Sequence, residues 1–367
     1  MGATRIATFD DWIDYFRQWQ KEIDLDPAVV AGYGFEARYG DLHSAEVEFG
    51  DFRGARKWET VLEVPDQRIR DALLHLITYQ GDTEFASVEQ QRHLLRSSPS
   101  GHDGQALVRV MREEMRHGWQ MCHLLVSHFG TTGRVEAQKM LERRAFKGER
   151  LLGSFNVPVE NWLDFFTYTQ FVDRDGKFQL GMLSHSAFAP LARSMGPMLK
   201  EESFHLGTGN NGLKRLLKAG RIPVPLMQKY FNKWIPTAFD LFGTDGSSSA
   251  HWAYVWGLKG RFDEDQNDAA PDRDHLNEYA RSLYEREIRE LVELLNRDRP
   301  ADTPALYVPD QRFNRKIGEH ADQRFSVDGR PLDAAASARH LAEVLPADAD
   351  RAALDALTRE PGWILPR

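Results

Sequence analysis

The chain reads EEMRH at residues 113–117 and EESFH at residues 201–205. Each stretch contains the pattern Glu-x-x-His, and residues three apart lie on one face of an α-helix, so that both side chains can point at one metal ion. The two pairs are Glu114 with His117 and Glu202 with His205. A single copy is better explained by an ion pair on a solvated helix, but two copies inside long, partly apolar helical stretches favour a metal site.

Long helical stretches separated by short breaks surround the two motifs. Helix-forming residues with few prolines or glycines fill five segments, at 66–97, 103–129, 132–147, 159–190 and 191–219. The breaks between them include SSPSGHDG and GTTG, which are rich in turn-forming residues. Long helices with short connections predict an all-α antiparallel bundle.

The flanking sequence is less regular. Residues 7–24 predict an amphipathic N-terminal helix, and the glycine-containing stretch 32–64 predicts irregular or short β structure. Further helices are predicted at 224–241, 273–297, 333–345 and 347–358, with a loop over 243–272. We expect one domain in three parts, namely an N-terminal helix and irregular segment packed on the core (1–65), the metal-binding bundle (66–220) and a helical and loop extension (221–367).

A metal site of this kind needs a further carboxylate on the helix that precedes each motif. Glu84 precedes Glu114 by 30 residues. Asp173 precedes Glu202 by 29 residues, so the chain contains an internal repeat of acid, spacer and Glu-x-x-His. Each acid also shares a helical face with apolar residues. Asp175 is the alternative to Asp173, although it breaks the repeat spacing.

Four carboxylates in an apolar bundle repel one another and resist ionisation unless cations neutralise them. Two divalent ions would balance four negative charges, and oxygen and imidazole donors suit iron or manganese. The preceding glutamates, Glu113 and Glu201, are expected to accept hydrogen bonds from the histidine of the facing motif, His205 and His117 respectively. Exposure of both glutamates to solvent is an equally good interpretation.

Length and composition narrow the class of protein. The 367 residues are 41% hydrophobic and 28% charged, which is typical of a folded chain, and a net charge of −8 argues against broad nucleic-acid binding. The single cysteine, Cys122, excludes an internal disulfide and a thiolate metal cluster. No apolar run approaches the roughly 18–20 residues of a membrane span, and the N-terminal stretch MGATRIATFDDW lacks a signal pattern. We expect a cytoplasmic protein without nucleic-acid or membrane partners.

Several longer stretches resemble one enzyme family. They are GDTEFASVEQQRHL (81–94), EEMRHGWQM (113–121), FVDRDGKFQLGML (171–183), LKEESFHLGTG (199–209) and VPLMQKYFNKW (224–234), with DLFG and GLKGRF further on. These stretches are similar to the oxygenase component of benzoyl-CoA 2,3-epoxidase, one of the ferritin-like di-iron monooxygenases, to which phenylacetyl-CoA epoxidase is more distantly related. The resemblance is strong over about residues 66–262.

The resemblance implies a ferritin-like core and two iron ions. It implies six metal ligands, which are Glu84, Glu114, His117, Asp173, Glu202 and His205. It also implies O₂ as co-substrate, an aromatic acyl-CoA substrate, an epoxide product, and electrons from NADPH through a separate flavin and iron–sulfur reductase. Gln80 lies one turn before the first ligand and is expected to face the substrate, or else to be an ordinary glutamine of the helix surface.

The function expected from the sequence is that of an oxidoreductase, a di-iron monooxygenase of aromatic acyl-CoA metabolism. The alternative is a related di-iron hydroxylase or N-oxygenase that acts on another aromatic or natural-product intermediate. Iron storage fits this chain length poorly, and a radical-generating protein would have tyrosine where this chain has Met121.

Two local features complete the sequence-based expectations. Phe85 follows the first predicted ligand where the family has proline.

A basic cluster lies around the end of the predicted helix at 132–147, and its members are Arg143, Arg144, Lys147 and Arg150. It is predicted to be a solvated helix end. The alternative is that it contacts a CoA phosphate or the reductase.

Overall fold

The structure, a computed structural model, describes residues 6–264, 276–360 and 362–365. Within these residues the chain forms α-helices and short 3₁₀ turns, and β pairing is limited to isolated bridges, so the all-α prediction is confirmed. In chain order the helices are α1 (Phe9–Glu22), α2 (Pro27–Val30), α3 (Gln67–Gln91), α4 (Gly101–His128), α5 (Gly130–Glu142), α6 (Trp162–Leu183), α7 (Ala189–Ala219), α8 (Val224–Leu241), α9 (Ser248–Val255), α10 (Leu276–Asp298), α11 (Ala334–Val344) and α12 (Asp348–Thr358).

Four long helices form the centre of the fold. α3 packs along α4, α6 packs along α7, and contacts between α4 and α7 join the two helix pairs. α8 covers α6, α5 covers α3 and α4, and α1 packs on α5. The two Glu-x-x-His motifs lie on α4 and α7, and the preceding acids lie on α3 and α6. None of the described helices combines the length and apolarity that crossing a membrane requires.

Local signals fix the ends of the bundle helices. Ser100 accepts a hydrogen bond from the backbone N–H of Asp103 at the start of α4, and Asn161 accepts one from the backbone N–H of Asp164 at the start of α6. α7 ends at Gly220, whose left-handed conformation (φ 63°) favours glycine. Both Glu-x-x-His motifs therefore fall in the middle of long helices, away from ends that fray.

A proline inside α7 gives the N-terminal segment an anchoring point. Pro197 has no N–H, so the carbonyl oxygen of Arg193 loses its helical partner. The backbone N–H of Gly40 donates to that carbonyl oxygen at 2.8 Å instead. The segment that follows α2 is thereby bound to α7 about two turns before the second motif.

Residues 32–64 were predicted to form irregular or short β structure, and the structure shows the irregular alternative. The described chain has no strand there, but two isolated bridges, Glu46 with Arg56 and Trp58 with Phe188, and a 3₁₀ turn at Val61–Glu63. Backbone groups of this segment bond either within it or to other parts of the chain, without forming a strand. The N–H of Trp58, for example, donates to the carbonyl of Ala187 at 2.8 Å.

The predicted loop over 243–272 needs correction, because it contains α9. The loop was predicted because this stretch is rich in glycine, serine and aspartate. Ser247, however, accepts a hydrogen bond from the N–H of Ala250 and so caps the start of α9. Residues 265–272 lie outside the described residues. The division of the chain at residues 65 and 220 stays a prediction.

The prediction of a solvated helix end is wrong for Arg144 and Arg150 of the basic cluster, whereas Lys147 is exposed. Arg150 is buried, and its guanidinium lies 3.1 Å from Asp82 and 2.8 Å from Glu89, two acids of α3. Arg144 is also buried and pairs with Glu22 of α1. These ion pairs join residues that are far apart in sequence, so the arginines hold α1 and the turns after α5 onto the bundle.

Phe85 fills the space between α3, α4 and α1. Its ring packs against three aromatic residues of α1 at centroid distances of 5.3–6.4 Å, which are Trp12, Phe16 and Trp19. On the facing helix, a Cβ atom at Gly118 would lie 2.6 Å from the Phe85 ring. Gly118 therefore permits the close approach of α3 and α4 beside the first motif.

Substitution of Gly118 tests this close approach. Gly118→Ala forces a methyl group into the Phe85 ring, and we expect it to lower the free energy of unfolding by about 1–3 kcal/mol, measured by denaturant titration. Gly176→Ala on α6 is the matched control, because nothing lies within 4 Å of a Cβ there and alanine favours helix by up to about 1 kcal/mol. Equal stability of the two variants would contradict the described packing.

Candidate metal centre

The six residues predicted as ligands are buried in the middle of the bundle. α3 contributes Glu84, α4 contributes Glu114 and His117, α6 contributes Asp173, and α7 contributes Glu202 and His205. None of the six residues is more than 7% exposed. Ion pairs on solvated helices therefore do not explain either motif.

Five of the six residues form two compact groups that share one glutamate. Ligand atoms lie within 4.8 Å of one another in the group Glu84, Glu114 and His117, and again in the group Glu114, Glu202 and His205. The Nδ1 atom of His117 is 3.4 Å from Glu84 Oε2. The Nδ1 atom of His205 is 3.3 Å from Glu202 Oε2 and 3.6 Å from Glu114 Oε1. The geometry offers two adjacent ion sites with a common carboxylate.

Asp173 lies outside both compact groups but beside them. Its carboxylate is buried, and its Oδ2 atom has no hydrogen-bond partner among the described residues. Burial, followed by the charge of Glu202, raises the pKa of Asp173 well above its ordinary value. Asp175 is engaged differently, since its Oδ1 accepts a hydrogen bond from Gln179 at 3.0 Å and burial raises its pKa to about 7.

The outer glutamates of both motifs contact the histidines of the opposite motif. Glu201 Oε2 lies 2.8 Å from His117 Nε2, and Glu113 Oε2 lies 3.0 Å from His205 Nε2. Each pairing occupies Nε2 and leaves Nδ1 facing the inner carboxylates. An outer carboxylate that binds one ring nitrogen fixes the orientation of the other, as is usual for metal-binding histidines.

Arginines surround the outer glutamates. Arg116 and Arg38 donate to Glu201 Oε1 at 3.0 and 2.8 Å, and Arg109 donates to Glu113 Oε1 at 2.8 Å. Burial opposes ionisation of Glu201, but hydrogen bonds from His117 and Arg116 outweigh it and lower the pKa of Glu201 to about 2. The outer carboxylates are therefore ionised and have charged partners of their own.

The inner carboxylates lack such partners and are suited to a metal. Burial, followed by the charge of Glu84, raises the pKa of Glu114 well above its ordinary value. The Nδ1 atoms of His117 and His205 have no hydrogen-bond partner among the described residues. Unpartnered imidazole nitrogens aimed at crowded carboxylates form a donor set of nitrogen and oxygen, which iron and manganese accept. These residues fit a pair of divalent ions.

Gln80 contacts the centre from α3. Its Nε2 donates to Glu84 Oε1 at 2.6 Å, and its side chain lines the cavity that opens beside the carboxylates. The structure therefore gives Gln80 a contact that orients Glu84, in addition to a place on the cavity wall.

A cavity of about 620 Å³ extends from the inner carboxylates toward α9. Its apolar wall includes Leu76, Phe155, Val172, Leu180, Leu183 and Phe242. Three exposed apolar residues also line it, Tyr79, Leu151 and Trp252, which are 39–45% exposed and mark its opening. A cavity of this size and lining accommodates an organic molecule with an aromatic ring.

Sequence reasoning missed the polar part of this wall. Lys259 Nζ donates to Gln179 Oε1 at 2.7 Å and to Asn277 Oδ1 at 3.1 Å, and all three residues line the cavity. The signal that could have found it was the stretch GLKGRF, which contains Lys259 and belongs to the motifs that resemble the enzyme family.

A four-helix bundle with Glu-x-x-His on two helices and an acid on each of the other two defines the ferritin-like carboxylate class. The chain belongs to the phenylacetic acid catabolic protein family, whose sequence model matches residues 61–292. The ferritin-like fold predicted from the motifs is thereby confirmed.

Two relatives are similar over much of their length. The chain is 36% identical to benzoyl-CoA oxygenase component B of Aromatoleum evansii, over 99% of this chain and 88% of that protein. It is 24% identical to one of the subunits of the 1,2-phenylacetyl-CoA epoxidase of Escherichia coli (strain K12), over 57% of this chain and 67% of that protein. The resemblance inferred from the motifs is confirmed, and the chain is an oxidoreductase enzyme.

Metal addition to the purified protein tests the centre without turnover. Anaerobic Fe²⁺ should raise the melting temperature of the wild-type protein, because an ion present at 100 times its Kd stabilises the folded state by about 2.7 kcal/mol per site. Glu114→Gln should abolish this rise, since both compact groups use Glu114. The same variant should melt no lower than wild type without metal, because burial and the charge of Glu84 favour the neutral form of Glu114, which glutamine resembles in shape and charge.

Glu293→Gln, an exposed position on α10, is the control and should keep the metal-induced rise. An unchanged response to Fe²⁺ in Glu114→Gln would show that this cluster does not bind the ion.

Proposed function

We propose that the chain is the oxygenase component of a di-iron monooxygenase that uses O₂ to insert one oxygen atom into an aromatic acyl-CoA. The observation that carries the proposal is the pair of buried Glu–His groups that share Glu114, placed beside an apolar cavity of about 620 Å³. The relatives supply the substrate class, since their names describe a benzoyl-CoA oxygenase component and part of a phenylacetyl-CoA epoxidase.

Each inner residue has a place in the proposed centre. Glu84 and His117 would hold one iron and Glu202 and His205 the other, with Glu114 between them. Asp173 would add a further buried carboxylate from α6. When bound, the two irons supply the redox chemistry that divides O₂ between substrate and water, at the expense of two electrons and two protons.

The surrounding residues orient the ligands and exclude water. Glu201 and Glu113 hold the two imidazole rings so that each Nδ1 faces the centre, and Gln80 holds one oxygen of Glu84. The apolar cavity wall would hold the aromatic ring of the substrate against the inner carboxylates and keep bulk water away. The proposed product is an epoxide of that ring, because the family resemblance implies an epoxide and one of the two relatives is named an epoxidase.

The electrons require a second protein. This chain has a single cysteine, which cannot hold an iron–sulfur cluster, and its relative is named as component B of an oxygenase. We therefore include in the proposal a separate flavin and iron–sulfur reductase that delivers electrons from NADPH.

One observation supports a second candidate function. Lys259 is the only lysine or arginine among the described residues that line the cavity, whereas the phosphates of CoA pair with cations. A CoA group would therefore extend outside the cavity. A related di-iron hydroxylase or N-oxygenase that acts on another aromatic or natural-product intermediate needs no such extension.

Product analysis tests the main proposal and separates the two candidates. Benzoyl-CoA, NADPH, a reductase and ¹⁸O₂ should give a product that is heavier by one ¹⁸O atom, detected by mass spectrometry. Glu202→Ala should reduce turnover to background because it removes a metal ligand, and Glu293→Ala should leave it unchanged. Full activity of Glu202→Ala would refute the proposed centre, and oxidation of another aromatic but not benzoyl-CoA would favour the second candidate.

Gly176 tests whether the cavity holds the substrate. It lies one turn after Asp173, lines the cavity and has open space where a Cβ would be. Gly176→Phe should fill the ring-sized space, so that KM rises or turnover falls at least tenfold while iron content stays at the wild-type level. Gly176→Ala is the control and should keep most of the activity. Equal kinetics of both variants and wild type would place the substrate elsewhere.

A further inference from the structure

Lys259 lines the cavity but contacts none of the predicted metal ligands. It follows α9, and its ammonium bridges α6 and α10 through Gln179 and Asn277, at 2.7 and 3.1 Å. Gln179 in turn donates to Asp175 at 3.0 Å. A row of polar side chains therefore runs along one wall of the cavity, next to its apolar wall.

The partners of Lys259 leave part of its hydrogen-bonding capacity for a ligand. An ammonium group has three N–H donors, and these two side-chain acceptors are both neutral amides. A cation placed beside an apolar cavity is costly unless a negatively polarised group joins it. Burial lowers the pKa of Lys259 to about 8, although the charges of Asp175 and Asp245 act to raise it. The ammonium form therefore predominates at neutral pH.

The offset along α6 between Asp173 of the candidate centre and Gln179 suits one aromatic ring. Gln179, which holds the ammonium, is six residues after Asp173 on α6, which corresponds to about 9 Å along the helix axis. Between them lies Gly176, with open space at its Cβ position. This span matches an aromatic ring whose substituent points to Lys259 while the ring edge faces the carboxylates.

We propose that Lys259 binds an oxygen of a carboxyl-derived substituent on the aromatic substrate, either a thioester carbonyl or a free carboxylate, and so determines which ring edge faces the metal centre. This inference rests on the proposed function for the presence of an aromatic substrate. It adds the residue that selects the substituent and orients the ring.

Ligand binding without reductant tests the inference, because Trp252 and Trp256 line the cavity and their fluorescence should change when it fills. The probes are benzoyl-CoA, benzoate and toluene, which has the ring without the oxygen. Lys259→Met should weaken binding of an oxygen-bearing probe by about tenfold or more and leave toluene binding unchanged. Lys177→Met is the control. Lys177 lies on the same helix as Gln179 but pairs with Glu287 and does not line the cavity.

The probes distinguish the two sources of the oxygen. A loss confined to benzoyl-CoA identifies the thioester carbonyl, and a loss confined to benzoate identifies a carboxylate. Equal weakening of all three probes, no weakening at all, or no binding by the wild type would overturn the inference.

A second variant covers the case in which Lys259→Met does not fold. Lys259→Gln can still bond to Gln179 and Asn277 but has no charge, so it should bind benzoate at least tenfold more weakly and toluene as wild type does. Unchanged benzoate and benzoyl-CoA binding in this variant would also overturn the inference. Because no turnover is required, an inactive protein that shows these losses would refute only the proposed function. Normal turnover with unchanged binding in Lys259→Gln would refute only the role of Lys259.

Discussion

Repulsion between buried carboxylates is the constraint on which the rest of this structure depends. Glu84, Glu114 and Glu202 converge within a few ångströms in a site that solvent scarcely reaches. The chain provides arginine partners for the outer glutamates, Glu113 and Glu201, but not for the inner ones. The outer charges are thus balanced by protein, and the negative charge that remains inside is available to cations.

The candidate centre has two different sides. The carboxylates Glu84, Glu114, Asp173 and Glu202 line the cavity, whereas neither histidine and neither outer glutamate does so. On the opposite side, α4 and α7 carry the His–Glu–Arg contacts, which end at the half-exposed side chains of Arg38 and Arg109. Access for an organic substrate and orientation of the imidazole rings are therefore assigned to separate faces of the same bundle.

Local pattern made the centre predictable, because helical periodicity puts Glu114 beside His117 and the thirty-residue repeat then selects Glu84 and Asp173. The same pattern predicted most helices of the bundle. Long-range contacts were beyond it. Arg150 is buried because Asp82 and Glu89 lie beneath it, and Lys259 is held by Gln179 from a distant part of the chain. The sequence next to Arg150 and Lys259 does not indicate these partners. The helix cap of α9 was not predicted either, because the stretch around it has a composition typical of loops.

The contact between Gly40 and the proline-interrupted turn of α7 has a consequence for how such chains diverge. Arg38, two residues before Gly40, donates to Glu201, so one short stretch both satisfies a helix carbonyl and balances a charge next to His117. Insertions or deletions between α2 and α3 are tolerable only where they leave residues 38–40 in register with α7. Evolutionary changes in length should therefore occur before or after residues 38–40, because these residues are bound to α7 while the rest of the connection is irregular.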